Sequence, residues 1–230
     1  MAMRGCASGW KADGTVVTDA DHAVDALLKA QLLGMFPGHG WLSEESEDTP
    51  ERLTRNRVWM VDPIDGTRAY AAGTDDWAVS VALVVNGRPL LAVLAAPMRG
   101  VMFRAVAGEG ATANGSALRA STREFLEGAR VPLDPGRDRL GAVAVTRIPK
   151  PIALALRLTM VAENKADAVA RRGAVRELDV AAAALIVAEA GGIVSDARGR
   201  ELVFNQPSAR FDGILVSGAA LHGAALRAIG

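Results

Sequence analysis

Residues 58–67, with the sequence VWMVDPIDGT, place two aspartates at the end of an apolar run. The run VWMV is typical of a buried strand. Pro63 has a fixed φ and restricts the residue before it to extended conformations. We therefore expect the strand to continue through Asp62 and the chain to turn after it. Gly66 permits a tight backbone, and Thr67 is a suitable cap for a short helix that follows.

This stretch combines two kinds of ligand-binding group. The carboxylate oxygens of Asp62 and Asp65 suit a hard divalent cation such as magnesium. The free backbone N–H groups of a helix N-terminus suit a phosphate. Together they predict a site for metal-assisted phosphoryl transfer. The structural alternative is a simple turn in which Asp65 and Thr67 only cap backbone groups.

Two further acidic positions precede this stretch. Glu44 and Glu45 follow a short predicted strand at residues 40–43. They either form a solvated loop or meet Asp62 across a sheet, and charge alone does not decide between the two. Asp21 stands three residues after Thr18, which is the spacing of a capping box at a helix start. Its structural interpretation is therefore a cap.

The rest of the chain predicts a mixture of strands and helices. A helix after Thr18 has one buried stripe at helical spacing, formed by Val24, Leu27, Leu28 and Leu32. Asn86-Gly87 between two apolar runs predicts a hairpin over residues 77–95. Further strands are expected at 101–106, 141–146, 166–170, 193–195 and 213–217, with a loop at 121–138. Helices are expected at 152–162, 180–190 and 219–229. This order predicts layered sheets and helices, a mixed α and β architecture.

Composition excludes several classes of function. The 230 residues contain 26 Lys+Arg and 26 Asp+Glu, so neither nucleic acid nor an anionic membrane is the expected partner. Cys6 is the only cysteine, which excludes an intramolecular disulfide and a cysteine zinc site and fits a cytoplasmic protein. The first ten residues hold no long apolar stretch, so we expect no signal peptide. His22, His39 and His222 lack zinc-ligand spacing and are expected on the surface or in loops.

The acidic motifs together resemble those of the inositol monophosphatase family. The motifs, in chain order, are Val17-Thr18-Asp19-Ala20-Asp21, Glu44-Glu45, Asp62-Pro63-Ile64-Asp65-Gly66-Thr67, Asp179-Val180-Ala181-Ala182 and Glu189-Ala190-Gly191-Gly192. Each motif alone is weak evidence, but the set keeps the family's order and approximate spacing.

This resemblance implies a layered α-β-α-β-α sandwich with a largely antiparallel sheet in the first half. One catalytic domain would span residues 1–230, with two halves at about 1–120 and 121–230. The implied activity is magnesium-dependent hydrolysis of a small phosphorylated metabolite, with two or three ions and a metal-activated water. The implied assembly is a homodimer.

The resemblance also implies a role for each motif residue. The metal ligands would be Glu44, Asp62, the carbonyl group of Ile64, Asp65 and Asp179. Thr67 and Asp21 would orient and deprotonate the attacking water, with Glu45 as a nearby acid. Substrate contacts would come from Gly66, Thr67, Arg172 and Asp179, and Lys11 would lie on a mobile loop over the site.

Substrate identity stays open at this point. Members that prefer inositol place a glutamate where this chain has Arg172, and two adjacent arginines, Arg171 and Arg172, suit a second phosphate. The sequence is thus compatible with 3'-phosphoadenosine 5'-phosphate or inositol monophosphate, and also with a histidinol phosphatase or a sugar bisphosphatase. A haloacid-dehalogenase mechanism leaves Glu44 and Glu45 unexplained, and its motif has one residue between the acids, not two. A non-catalytic phosphate-binding or regulatory module is the alternative from another class.

Overall fold

The computed structural model describes residues 8–10, 16–134, 136 and 139–230. These residues form five α-helices: α1 (Asp19–Met35), α2 (Thr67–Ala71), α3 (Leu154–Ala162), α4 (Ala181–Glu189) and α5 (His222–Ile229). Three short 3-10 segments occur at Pro50–Thr54, Pro97–Arg99 and Ala219–Leu221. Within the described ranges, none of the helices is both long and apolar enough to cross a membrane.

The strands of the same ranges fall into one large sheet, one three-stranded sheet and three two-stranded pairs. In chain order they are β1 (Ser8–Trp10), β2 (Val16–Thr18), β3 (Gly40–Ser43), β4 (Arg57–Asp65), β5 (Ala78–Val85), β6 (Arg88–Ala96), β7 (Val101–Val106), β8 (Gly110–Ala113), β9 (Ser116–Ala117), β10 (Arg130–Pro132), β11 (Arg139–Leu140), β12 (Val143–Ala144), β13 (Thr146–Ile148), β14 (Ala168–Arg176), β15 (Gly192–Asp196) and β16 (Arg210–Gly218).

The large sheet has the order β3-β4-β5-β6-β7-β8-β9. Only β3 and β4 are parallel, and every later pair is antiparallel, which confirms the expected antiparallel first half. The predicted hairpin joins β5 to β6 through Asn86 and Gly87, whose φ angles are 49° and 78°. Two consecutive positive φ values are what a tight turn between twisted strands requires.

The layers alternate as the resemblance implies. Helix α1 covers one face of the large sheet, where Leu28 and Leu32 pack near Trp59 and Val61. Helices α3 and α4 pack against each other, and α4 lies on the opposite face, against β5 to β8. The three-stranded sheet β14-β16-β15 lies beyond α3 and α4, and α5 packs against β14 and β16. The observed fold is therefore an α-β-α-β-α sandwich.

The composition of α4 follows from its position between two sheets. Residues 181–187 of this helix are all buried, and four of them are alanines. A helix that is apolar all round belongs in the interior. Alanine combines the highest helix propensity with a side chain of a single methyl group, so α4 can lie close to both neighbouring layers.

An irregularity near the end of β4 positions the two aspartates. Asp62 is opposite Ser80 and Asp65 is opposite Ala78, so β4 uses one more residue than β5 over this interval. Side chains of a regular strand alternate, which would put positions three apart on opposite faces. The extra residue reverses that alternation. Pro63, which cannot donate a ladder hydrogen bond, stands inside the bulge.

Several local expectations differ from the structure. The strand continues to Asp65 and does not turn after Asp62, because the bulge absorbs the proline. The N-cap of α2 is Gly66, and Thr67 is the first helical residue. Leu27 is exposed and does not belong to the apolar stripe of α1, whereas Leu33 packs with Leu28 and Leu32.

The second half contains three further differences. The loop expected at 121–138 includes β10, which pairs with β13. The strand expected at 141–146 is divided between β12 and β13, and β14 extends to Arg176. His222 is buried and not on the surface. Both of its ring nitrogens have hydrogen-bond partners there, since they lie 2.9 Å from the hydroxyl oxygens of Ser195 and Ser217.

Candidate functional site

Three carboxylates converge where β3, β4 and α4 meet. Glu44 directly follows β3, Asp62 lies in the parallel neighbour β4, and Asp179 lies two residues before α4. One carboxylate oxygen from each of them lies within 4.8 Å of those of the other two. The ends of adjacent parallel strands lie at one edge of a sheet, which is why residues far apart in sequence meet here.

Asp65 lies close to this cluster but has an additional structural role. Its Oδ1 accepts a hydrogen bond of 3.1 Å from the backbone N–H of Leu154, and its Oδ2 accepts one of 2.6 Å from that of Ala155. These are the first residues of α3, so Asp65 binds the N-terminus of that helix. Asp65 and Asp179 both line a cavity of about 170 Å³, which we call the acidic cavity.

Arg176 is the cation of the cluster. Its Nη2 donates a hydrogen bond of 2.7 Å to Oε2 of Glu44 and lies 3.2 Å from Oδ1 of Asp179. Oδ1 of Asp179 is nevertheless buried without a hydrogen bond, because the orientation of the guanidinium is unfavourable there. Burial alone would lower the pKa of Arg176, but the hydrogen bond from its guanidinium to Glu44 and the charge of Asp179 raise it.

The carboxyl groups are electrostatically strained. Burial raises the pKa of Asp62 well above its usual range, and the charges of Asp65, Glu44 and Asp179 raise it further. Burial and the charge of Asp179 raise the pKa of Asp65 to about 7, although the two backbone N–H groups oppose the shift. Burial also raises the pKa of Asp179, against the influence of Arg176. Such a cluster gains stability when a cation is placed among the oxygens.

Asp21 and Thr67 meet beside the cluster. Thr67 Oγ1 lies 3.1 Å from Oδ1 of Asp21 and 3.0 Å from the carbonyl oxygen of Ile64. The other oxygen of Asp21 accepts hydrogen bonds from the backbone N–H and the hydroxyl group of Thr18. Asp21 therefore closes the capping box of α1 and contacts Thr67 as well. Both interpretations of this residue describe part of its environment.

The turn between β4 and α2 depends on Gly66. Its φ is 91°, and a Cβ atom at this position would lie 2.6 Å from the carbonyl oxygen of Asp76. Only glycine fits such a backbone. The carbonyl oxygen of Gly66 accepts hydrogen bonds from Ala69 and Tyr70, which begins α2 with Thr67 at its first position.

Glu45 lies next to the cluster without being one of its three members. Its side chain is buried, and Oε2 lies 3.8 Å from Nδ1 of His22, on α1. Its backbone N–H donates to the hydroxyl oxygen of Ser43. Lys11, which the sequence places on a loop over the site, lies outside the described residues.

Arg172 is not a lining residue of the acidic cavity, whereas Arg171 is. The pairing of β14 with β16 has one extra residue on β14 between Arg171 and Ala174, and Gly173 in this bulge has a φ of 79°. The guanidinium of Arg172 instead donates a hydrogen bond of 2.8 Å to the carbonyl oxygen of Ile229. Adjacent strand positions face different sides, and the bulge keeps Arg171 on the side of Asp179.

Sequence reasoning did not identify two cations at the site. Arg176 bridges Glu44 and Asp179, and Arg157 is buried at the acidic cavity, with its guanidinium bound to the carbonyl oxygens of Pro151 and Ile152. The spacing of three residues between Arg176 and Asp179 was a weak signal. Arg157, inside an apolar helix, was the stronger one, since an unpaired cation is rarely buried.

The comparisons with known protein families, sequences and structures agree with one another. Residues 7–228 match the model described as the inositol monophosphatase family. The chain is 33% identical over 201 residues to the Nus factor SuhB of Escherichia coli, covering 82% of this chain and 74% of that protein. It is 31% identical over 208 residues to the 3'(2'),5'-bisphosphate nucleotidase CysQ of Aggregatibacter actinomycetemcomitans, covering 85% of this chain and 77% of that protein. The solved structure of inositol monophosphatase from Anabaena superposes with a TM-score of 0.79 at 27% identity, covering 91% of this chain and 85% of that one.

Proposed function

The chain belongs to the inositol monophosphatase family, and we propose that it is a magnesium-dependent phosphomonoesterase acting on a small phosphorylated metabolite. One observation carries this proposal: the carboxylates of Glu44, Asp62 and Asp179 converge within 4.8 Å beside the pair formed by Thr67 and Asp21. The first group of residues would hold the cation, and the second group would orient the attacking water.

The donor set fits a hard divalent cation. All the converging ligand atoms are carboxylate oxygens, which magnesium prefers over the nitrogen and sulfur ligands of zinc. Oδ1 of Asp179 is buried without a hydrogen bond, so it has a free lone pair for a ligand. We propose that Glu44, Asp62, Asp65, Asp179 and the carbonyl group of Ile64 together hold two or three magnesium ions.

When bound, magnesium neutralises phosphate charge and lowers the pKa of a water molecule. The side chains of this protein would then complete the reaction. The hydroxyl group of Thr67, fixed between Asp21 and the carbonyl oxygen of Ile64, would orient the water for attack in line with the leaving group. Asp21 would accept the proton through Thr67, because a threonine hydroxyl is a weak base alone.

The remaining site residues would position the substrate. The turn formed by Gly66 and Thr67 would present backbone N–H groups to the phosphate. The buried carboxylate of Glu45, whose Oε2 lies 3.8 Å from Nδ1 of His22 on α1, would remain close to the reacting water. Lys11 would approach the bound phosphate from its loop.

The candidate substrates follow from the relatives. A bisphosphate nucleotidase and an inositol monophosphatase are both similar to this chain. We propose 3'-phosphoadenosine 5'-phosphate or inositol monophosphate as the substrate class, with histidinol phosphate and sugar bisphosphates as alternatives within the same fold. Each would present its reacting phosphate to the same carboxylates, so discrimination would depend on residues around the leaving group.

The test is phosphate release from this panel of four substrate types, with magnesium or with EDTA. We expect release that requires magnesium and that falls by several orders of magnitude in Asp62→Asn. Asp75→Asn is the matched control, since Asp75 is exposed, pairs with Arg99 and is not one of the converging carboxylates. Absence of release from every substrate would contradict the proposal.

A second candidate function is a regulatory module that binds phosphate without turnover. It is favoured by the similarity to a protein named as a Nus factor. The same assay separates the two candidates, because a non-catalytic module would bind the substrate in calorimetry and release no phosphate. A homodimer in the cytoplasm remains a further prediction, which light scattering of the purified protein and fractionation of cells would check.

A further inference from the structure

A larger cavity opens beside the acidic cavity. Its volume is about 420 Å³, compared with about 170 Å³ for its neighbour. Arg157 and Arg171 line both cavities, so the two spaces share a wall. A volume of this size is typical of sites for small molecules. The larger space therefore lies where the remainder of a substrate would extend from a phosphate held by the carboxylates.

The lining of this cavity is strongly cationic. Its described charged residues are Arg139, Lys150, Arg157, Arg171, Arg172 and a single acid, Asp134. We call the space that they line the basic cavity. Asp134 pairs with Lys150 at 2.6 Å, and its charge also acts on Arg157. None of the four arginines forms a salt bridge with a described lining residue of this space. The positive lining contrasts with the neutral composition of the whole chain.

The arginines retain donors for a ligand. Arg172 donates to the carbonyl oxygen of Ile229, and Arg139 donates to that of Ala142. A carbonyl oxygen does not neutralise a guanidinium, which has five N–H donors in all. Arg171 is exposed and makes no hydrogen bond or ion pair with any described residue. Arg157 is held by backbone carbonyl oxygens, so its charge is fixed at the boundary of the two cavities.

We propose that the basic cavity binds a second phosphate of the substrate, separate from the phosphate that is hydrolysed. This inference rests on the proposed function and specifies its substrate class as small bisphosphates. Guanidinium groups bind phosphate oxygens in pairs with favourable geometry. An uncharged leaving group would leave Arg139, Arg171 and Arg172 without an anionic partner, so the cavity also selects against it.

The test compares substrates that differ only in the second phosphate. One pair is adenosine 3',5'-bisphosphate and adenosine 3'-monophosphate, and the other is fructose 1,6-bisphosphate and fructose 1-phosphate. For at least one pair we expect kcat/KM of the bisphosphate to exceed that of the monophosphate by about tenfold or more, the value of one charge-assisted hydrogen bond. Arg139→Gln and Arg172→Gln should each reduce this ratio, mainly through a higher KM for the bisphosphate.

Arg104→Gln is the matched control, because Arg104 is an exposed arginine on β7, outside both cavities. It should leave the ratio unchanged. A binding experiment removes the dependence on turnover: calorimetry in EDTA should show tighter binding of adenosine 3',5'-bisphosphate than of the 3'-monophosphate. Arg172→Gln should reduce that difference as well.

The outcomes separate this inference from the proposed function. Magnesium-dependent hydrolysis with ratios near one for both pairs would overturn the second phosphate site and leave the phosphatase assignment intact. No hydrolysis, with tighter binding of the bisphosphate that depends on Arg172, would support the basic cavity and contradict catalysis. A bisphosphate preference that Arg139→Gln and Arg172→Gln both leave unchanged would overturn the assignment of the basic cavity.

Discussion

The hydroxyl group of Thr67 lies 3.1 Å from Oδ1 of Asp21, although 46 positions separate the two residues in the chain. The second oxygen of Asp21 caps α1 through two hydrogen bonds from Thr18. The helix cap therefore fixes the orientation of the carboxylate that contacts Thr67. A structural role and a role in proton transfer are compatible in this residue, because they use different oxygen atoms.

The first prediction concerns this pair. Thr67→Ala and Asp21→Asn should each lower kcat by about 10²–10⁴-fold, the usual value of general-base assistance. Metal affinity should change far less, because neither residue belongs to the three converging carboxylates. The double variant should be little worse than the worse single variant, since the two groups act as one unit. Steady-state kinetics and magnesium titration measure both quantities.

Thr18→Ala separates the two roles of Asp21. It removes the hydroxyl partner of the cap and should reduce the free energy of unfolding by about 1 kcal/mol. The loss of kcat should be much smaller than in Asp21→Asn. Equal losses of kcat in the two variants would mean that Asp21 is only a helix cap.

The second prediction concerns the carboxylate cluster. Asp62→Asn and Asp179→Asn should each weaken magnesium binding strongly, because each removes a charged ligand while keeping the shape of the side chain. Calorimetric titration measures the affinity directly, without a substrate. Asp75→Asn should bind magnesium as the wild type does. Unchanged affinity in both cluster variants would contradict the proposed ligand set.

The third prediction is a pH dependence of the metal-free protein. Burial first, and then neighbouring carboxylates, raise the pKa of Asp62 well above its usual value, and burial together with Asp179 raises that of Asp65 to about 7. A carboxyl group whose pKa is raised in the folded state stabilises the fold at low pH, and this contribution is lost as the pH rises. In EDTA, the unfolding temperature of the wild type should therefore fall relative to that of Asp62→Asn between pH 5 and pH 8.

The comparison with Asp62→Asn isolates the cluster from other titrating groups. Burial lowers the pKa of His222, so this residue destabilises the fold as the pH falls below its usual pKa, which is the opposite pH dependence. That contribution is the same in both proteins and cancels in the difference. Magnesium should restore the unfolding temperature of the wild type at pH 8 and should raise that of the variant by less. A difference in unfolding temperature that does not vary with pH would refute the electrostatic explanation.

Much of this architecture can be predicted from local sequence. The turn at Asn86-Gly87 requires two positive φ values, which those residues supply at low cost. The Thr18 and Asp21 spacing predicts the start of α1, and the apolar run before Asp62 predicts β4. These features depend on residues within a few positions of each other, so no tertiary information is needed.

The parts that the sequence did not predict depend on strand pairing. The bulge between Asp62 and Asp65 is defined only relative to Ser80 and Ala78 on β5. The bulge on β14 decides whether Arg171 or Arg172 lines the acidic cavity, and it is defined only relative to β16. A shift of one residue exchanges the two faces of a strand, so the periodicity of a single strand cannot fix which of two neighbours meets the site.

The fourth prediction concerns the backbone at the turn between β4 and α2. Gly66 and Gly73 both have positive φ, at 91° and 68°, but a Cβ atom on Gly73 would meet nothing within 4 Å. Gly73→Ala should therefore show only the cost of the backbone conformation, about 1–2 kcal/mol. Gly66→Ala should cost clearly more, because its Cβ would collide with the carbonyl oxygen of Asp76. Chemical denaturation of both variants measures the difference, and equal costs would contradict the steric argument.

The fifth prediction concerns Arg176, whose Nη2 lies 2.7 Å from Oε2 of Glu44 and 3.2 Å from Oδ1 of Asp179. A guanidinium in this position stabilises the metal-free cluster and also competes with a divalent cation for the same oxygens. Arg176→Gln should therefore lower the unfolding temperature in EDTA at pH 8. It should also strengthen magnesium binding, by about tenfold or more for the loss of one positive charge at this distance.

Arg176→Lys is the matched control, because it keeps the charge but loses the planar geometry by which the guanidinium contacts Glu44 and Asp179 through two nitrogens. Arg176→Lys should resemble the wild type in metal affinity, and its unfolding temperature should lie between those of the wild type and Arg176→Gln. Calorimetry with magnesium and thermal unfolding with EDTA supply the two readouts, and neither requires a substrate. Opposite changes in the two quantities distinguish competition from simple damage to the fold, which would lower both. If Arg176→Gln weakens magnesium binding, the guanidinium assists the cation and does not compete with it.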